Sequence, residues 1–176
     1  MRDNMIPADW MPNARMERII VHWTAGVSKA SALDRSHYHI LVEDDGELVR
    51  GTLPISANAP GASGPRASHT LNCNTGSIGL SLCGMRGAVP EPFDPGPSPL
   101  TRPQWDAAMR ALAQLCQRYG IVPGPRTLLS HAEVSSNLGI AQRGKWDIAR
   151  LPFEPTIIGA GNVGALMRTT VRNLMS

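Results

Sequence analysis

The stretch RMERIIVHWTAG, Arg15–Gly26, decides how this chain is read. Its centre, Arg18–Trp23, is a short run rich in β-branched and apolar residues that ends at a Thr-Ala-Gly break. That pattern predicts a buried strand. The strand leaves His22 at its C-terminal edge, where a chain passing from sheet to loop commonly presents its chemistry.

Outward from this strand the signals alternate. In HYHILVEDDGELVRG, Asp45-Gly46 marks a hairpin between about Tyr38–Glu43 and Glu47–Arg50. SIGLSLCG reads as another apolar strand, and RTLLSHAEV as a short strand carrying His131 to its end. The stretch before SIGLSLCG reads as loop, and RGAVPEPFDPGPSP is too rich in Pro and Gly for regular structure, so it is expected to be a surface excursion. Thr101 with Gln104 forms a capping box, and apolar residues at helical spacing from Trp105 to Tyr119 predict a helix that Gly120 stops. A last segment, roughly Asn162–Met175, sets Val163, Leu166, Met167, Val171, Leu174 and Met175 against Arg168 and Arg172. It is expected to be an amphipathic helix docked on the core, with membrane contact the less favoured use of its apolar face. Together these predict an α/β fold, a sheet flanked by helices.

At 176 residues the chain suits one well-buried core, so a single domain over 1–176 is expected, with a catalytic core at about 18–151 and a C-terminal helical segment at 152–176. A net charge of +3 and a pI near 9.1 come without a Lys/Arg run or basic helix face, which argues against a nucleic-acid partner. Three cysteines without CxxC spacing make a disulfide framework or zinc ribbon an unsuitable reading. MRDNMIPADW lacks the apolar core of a secretory leader, so synthesis in the cytoplasm without a signal peptide is expected.

Five histidines are the candidates for chemistry: His22, His37, His39, His69 and His131. His22 and His131 fall where predicted buried strands enter loops. Asp147, in RGKWDIARL, lies on a third such segment, and in extended backbone Lys145 and Asp147 would face one side with Trp146 on the other. Zinc accepts imidazole nitrogen and carboxylate oxygen, and three protein ligands leave a fourth position for water. His22, His131 and Asp147 would make that set. Taken singly, each keeps an ordinary alternative: a half-buried histidine with satisfied hydrogen bonds, or an Asp147–Lys145 surface pair. His39 is expected to pack in the core, His37 to be structural or exposed, and Cys83 to be a small core residue.

Five fragments in order, IIVHWTAG, YHILVEDDGELVRG, NTGSIGLSLCG, LLSHAEV and GKWDIARL, resemble the zinc-dependent type-2 N-acetylmuramoyl-L-alanine amidases, a family that includes phage amidase endolysins and the peptidoglycan recognition proteins. The resemblance covers about Arg18–Leu151 and implies a central mixed β-sheet flanked by helices, with a groove holding one zinc ion. It implies His22, His131 and Asp147 as zinc ligands, Lys145 and Tyr38 as catalytic residues, and His69 as a substrate-binding residue of the groove. The third ligand varies in the family between cysteine, aspartate and, in noncatalytic members, residues that bind no metal; Asp147 therefore favours an enzyme over a peptidoglycan-binding module. Some members carry a glutamate in the pattern SIGxE, where this chain has Ser81, which places it nearer the branch that uses Tyr38.

The resemblance thus implies hydrolysis of the amide between N-acetylmuramic acid and L-alanine in bacterial peptidoglycan, and a monomer is expected. Two settings follow: a phage or prophage endolysin reaching the periplasmic wall during lysis, which is favoured, or a cytosolic amidase recycling muropeptides. Glu133, two residues after His131, is expected to support that ligand or its loop.

Overall fold

The computed structural model describes residues 5–176; the first four residues of the N-terminal stretch read above for a leader lie outside the described residues. The Arg15–Gly26 segment forms the strand expected of it, β1 (Arg18–Trp23), and β1 sits inside a five-stranded sheet. The other strands are β2 (Ile40–Val42), β3 (Leu48–Arg50), β4 (Ser77–Leu82) and β5 (Leu128–Ser130). Their spatial order is β3-β2-β4-β1-β5, with β1 parallel to β4 and β5, β2 parallel to β4, and β3 antiparallel to β2. The sheet is therefore mixed, as the resemblance implied, and the Asp45-Gly46 hairpin supplies its antiparallel edge.

The period of two along each strand divides the sheet into two unlike faces. Ile19, Val21 and Trp23 of β1, with Ile78, Leu80 and Leu82 of β4 and Ile40 and Val42 of β2, join one large apolar core. Two helices cover that face: α2 (Arg102–Tyr119), through Trp105, Ala108, Met109, Leu112 and Leu115, and α4 (Ala160–Met175), through Val163, Met167 and Val171. The other face begins as a small cluster of Ile20, Cys73, Leu129 and Val134, and continues along β1 to His22. On β4 this face is made of Ser77, Gly79 and Ser81, whose small side chains leave room for larger groups above them.

α2 starts and stops as its sequence predicts, with Thr101 and Gln104 forming the capping box and Gly120 closing it at a left-handed φ of 64°. Gln104 also donates its side-chain amide to the Val42 and Cys83 carbonyls, each at 2.8 Å, so the cap ties the helix to the ends of β2 and β4. Two short helices were not anticipated. α1 (Ala32–His37) is capped by Ser31 and Asp34, and Tyr38 terminates it, so the hairpin strand begins at Ile40 and Tyr38 lies outside it. α3 (His131–Leu138) starts directly after β5, so His131 is the first residue of a helix. The RGKWDIARL segment is irregular, without the extended backbone its alternation suggested.

α4 is docked, and no helix among the described residues is long and apolar enough to cross a membrane. Arg168, expected on its polar face, is instead buried, and it ion-pairs with the buried Glu133 at 2.9 Å and donates to the Leu128 carbonyl at 3.1 Å. Glu133 in turn accepts from the Ser130 backbone N–H at 2.9 Å, which is the cap of α3. Gly164 is what lets α4 approach, because a Cβ there would collide with the Glu133 carboxylate. Removing one partner of a buried, hydrogen-bonded pair leaves the other charge uncompensated, so Arg168→Met should lower stability by about 3 kcal/mol in urea unfolding. A loss within experimental error would show that the pair does not hold α4 to α3.

Candidate metal centre

Strand register brings the first two site residues together. Val21 lies beside Ser130 in the β1–β5 ladder, so the next residue of each chain, His22 and His131, emerge side by side at the same sheet edge. Their Nδ1 atoms are 3.1 Å apart. Asp147 comes from the irregular loop after α3 and is fixed by its own carbonyl, which accepts the Ala132 N–H in the first turn of α3. Its Oδ2 lies 3.2 Å from His22 Nδ1 and 3.4 Å from His131 Nδ1. All three residues are buried, and together they form a group able to hold a metal ion.

Hydrogen-bond partners on the far side of each ring decide the protonation. The Gln142 amide donates to the Leu71 carbonyl at 2.9 Å, which leaves its Oε1 to face His131 Nε2, also at 2.9 Å. An amide oxygen only accepts, so Nε2 is the donor nitrogen of His131, and, in the neutral tautomer this selects, the lone pair is on Nδ1. On the other side, His69 Nε2 lies 3.2 Å from the Ser77 carbonyl and therefore donates, leaving His69 Nδ1 to accept from His22 Nε2 at 3.1 Å. His22 too then presents a lone pair on Nδ1. Burial lowers the His22 pKa to about 4, so the ring is neutral near pH 7. For Asp147, burial pushes the carboxyl upward, but His131 and His22 outweigh it and hold the group below its ordinary value. Two imidazole lone pairs and a carboxylate oxygen thus converge without a proton to share, an arrangement that is repulsive until a cation sits among them. Two nitrogens and one oxygen suit zinc, with a fourth position left open.

The remaining candidates surround this centre. The Tyr38 ring lies 5.2 Å from the His22 ring, and burial, reinforced by the charge of Asp147, pushes its phenol well above the ordinary range. Tyr38 is therefore a proton-bearing donor near pH 7. Lys145 is exposed and lines the same cleft as Asp147, a cavity of about 850 Å³ that also takes in Tyr38, His69, Leu71 and Arg143. Trp146, between Lys145 and Asp147, stacks edge-on against Trp23 at 4.6 Å and meets Phe93 at 6.4 Å. The Pro-rich excursion thus braces the back of the KWD segment through Phe93.

His69 lines the cleft but is only 7% exposed, and its ring nitrogens engage His22 and Ser77, with the Thr70 hydroxyl 2.8 Å from Nδ1. Gly79 makes this position available, since a Cβ there would stand 2.6 Å from the His69 ring. His39 is buried and accepts the Gly79 N–H at 3.0 Å, while His37 lines the cleft and lies 2.9 Å from the Ser68 carbonyl. Cys83 is a buried core residue whose thiol is pushed up to about 12 by burial. One supporting residue, Gln142, escaped the sequence reading, whereas Glu133, expected to support His131 or its loop, caps the helix that begins at His131. Glu133 stands three places after Ser130, a capping-box spacing that could have revealed α3; Gln142, in a loop without periodicity, left no such signal.

A buried set of three metal-binding atoms at a sheet edge, opening on a wide cleft that also holds a cation and a phenol, defines a hydrolase with a metal-ready centre. Its family is fixed by sequence: the profile of N-acetylmuramoyl-L-alanine amidases matches residues 12–149, and the chain belongs to that family. No curated protein matches the chain by sequence. Among solved structures, PlyL is 16% identical with a TM-score of 0.52, over 98% of this chain and 94% of its own. The amidase AmiD from E. coli, solved with the substrate anhydro-N-acetylmuramic acid-L-Ala-D-γ-Glu-L-Lys, is 21% identical over 69% of this chain and 50% of its own, with a TM-score of 0.49. The endolysin amidase LysCS from Clostridium intestinale URNW is 14% identical over 78% of this chain and 95% of its own, with a TM-score of 0.45. At such identities the likeness concerns the fold alone.

Loss of a partner that orients a metal-bound histidine typically lowers metal affinity by about 10- to 100-fold. His69→Ala should weaken zinc binding in that range by competition with a chelating dye, and Asp147→Ala should weaken it further. If His69→Ala binds zinc like the parent and only raises KM, His69 belongs to the substrate and not to His22.

Proposed function

We propose that this enzyme uses one zinc ion, held by His22, His131 and Asp147, to hydrolyse the amide between the lactyl group of N-acetylmuramic acid and L-alanine in bacterial peptidoglycan. The observation that carries the reading is the convergence of two imidazole nitrogens and a carboxylate oxygen within 3.4 Å of one another beside an open cleft. A zinc ion bound there would polarise the amide carbonyl and make water nucleophilic near neutral pH.

The protein's own groups supply the rest. Lys145 carries positive charge into the cleft beside Asp147 and is placed to neutralise the charge that grows on the carbonyl oxygen as the amide is attacked. Tyr38 keeps its proton and serves as a hydrogen-bond donor that orients the attacking water or the oxyanion. Burial of His22, His131 and Asp147 keeps bulk water from competing for them. The cleft, at about 850 Å³, has room for both the sugar and the first residues of a stem peptide.

We place the activity in lysis of the wall: the enzyme is made in the cytoplasm and acts on periplasmic peptidoglycan as an endolysin. Mass analysis of digested sacculi tests this, with uncut glycan carrying free lactyl carboxylates and peptides beginning with L-alanine expected. Activity on soluble muropeptides alone would favour a recycling amidase, and zinc-loaded protein that leaves the lactyl-alanine bond intact would favour a binding module. Lys145→Ala should retain zinc while kcat falls by about 100- to 1000-fold, the usual cost of an oxyanion donor. Equal losses of zinc and rate would instead make Lys145 a structural support.

A further inference from the structure

The loop between α3 and Asp147 has no regular structure, yet it carries both Lys145 and the third member of the metal-ready set. Glycines at positive φ bound its arch, Gly139 at 71° and Gly144 at 61°. Between them, Gln142 is half-buried at the wall of the cleft. Its side chain is used at both ends. Oε1 accepts from His131 Nε2 at 2.9 Å, and Nε2 donates to the Leu71 carbonyl at 2.9 Å, with a longer contact of 3.4 Å to the Ile140 carbonyl.

Leu71 belongs to a second loop that lines the cleft, with His69, Asn72 and Asn74. That loop is itself anchored through Asn74, whose Oδ1 accepts the backbone N–H groups of His69 and Thr70 at 3.0 and 2.9 Å. A single amide therefore touches the ring of one site histidine and a second loop that lines the cleft. Among the hydrogen bonds of the described residues, Gln142 supplies the direct side-chain link between His131 and the 68–74 wall.

We propose that Gln142 is a positioning residue with two separable roles: its oxygen fixes the tautomer in which His131 offers Nδ1 to the metal, and its N–H group sets the spacing of the cleft walls that grip the substrate. This rests on the function proposed above. The first role follows from the inventory of the amide. An acceptor facing Nε2 stabilises the Nε2–H tautomer, whereas a donor would favour the other and turn a proton toward His22 and Asp147. The second follows from position, because Gln142 Nε2 ties the Leu71 carbonyl to the loop that carries Lys145, and both loops line the cleft.

The two ends can be removed separately. Gln142→Glu keeps an acceptor for His131 and loses the donor to Leu71, while Gln142→Leu loses both. Zinc affinity by dye competition and steady-state kinetics on a soluble N-acetylmuramoyl-peptide read the two roles independently. Gln142→Glu should hold zinc at least as tightly as the parent, since a carboxylate makes a good partner for a metal-bound histidine. Its KM should rise about fivefold, the equivalent of one lost hydrogen bond. Gln142→Leu should show the same rise in KM together with a loss of zinc affinity of about 10- to 100-fold. The proposal is overturned if Gln142→Leu matches the parent in both measurements, or if Gln142→Glu loses zinc as severely as Gln142→Leu. A parent that takes up no zinc, or takes it up and does not cleave, instead defeats the function on which the proposal rests.

Discussion

Three lone pairs aimed at one another in a buried site are the constraint around which this structure is built. His22 Nδ1, His131 Nδ1 and Asp147 Oδ2 stand 3.1–3.4 Å apart, and partners on the far side of both rings direct the protons away from the centre. Without a cation, such an arrangement costs free energy through desolvation and mutual repulsion. The surrounding fold holds it in place: strand register sets the two histidines, a backbone hydrogen bond from Ala132 sets Asp147, and the Glu133–Arg168 pair sets the helix that begins at His131. The C-terminal helix, which lies beyond the family match at residue 149, thus contributes to the site through Arg168.

The unlike faces of the sheet explain how a small chain carries so much polar burial. One face is an apolar interior completed by α2 and α4, and it supplies most of the area removed from water. The other face gives up side-chain volume on β4, at Ser77, Gly79 and Ser81, so that His69 and Tyr38 can lie over the strand next to His22. Each buried imidazole in that layer has a polar neighbour, which is how it tolerates the loss of water.

The sequence was most legible where one local rule decides the outcome. The Arg18–Trp23 strand, the Asp45-Gly46 turn, the capped α2 and the C-terminal helix all follow from periodicity or capping and appear as expected. α1 was hidden because its six residues are too few for an apolar stripe, and Leu33 within it is exposed. α3 was hidden because LLSHAEV reads as a strand until Ser130 and Glu133 are taken together as a cap. Arg168 looked like a polar-face residue because its partner, Glu133, lies 35 positions away. The three proposed ligands could be named from family resemblance, but the reason they present Nδ1, Nδ1 and Oδ2 to one another lies in long-range partners such as Gln142 that no spacing announces.

The most direct test of this account is a zinc titration of the protein labelled with ¹⁵N at histidine, followed through the ring nitrogens. Uptake should end at one ion per chain, with Nδ1 of His22 and His131 shifting on binding while Nε2 of each ring keeps its proton. Coordination through Nε2 of either ring, or failure to take up zinc at this site, would contradict it.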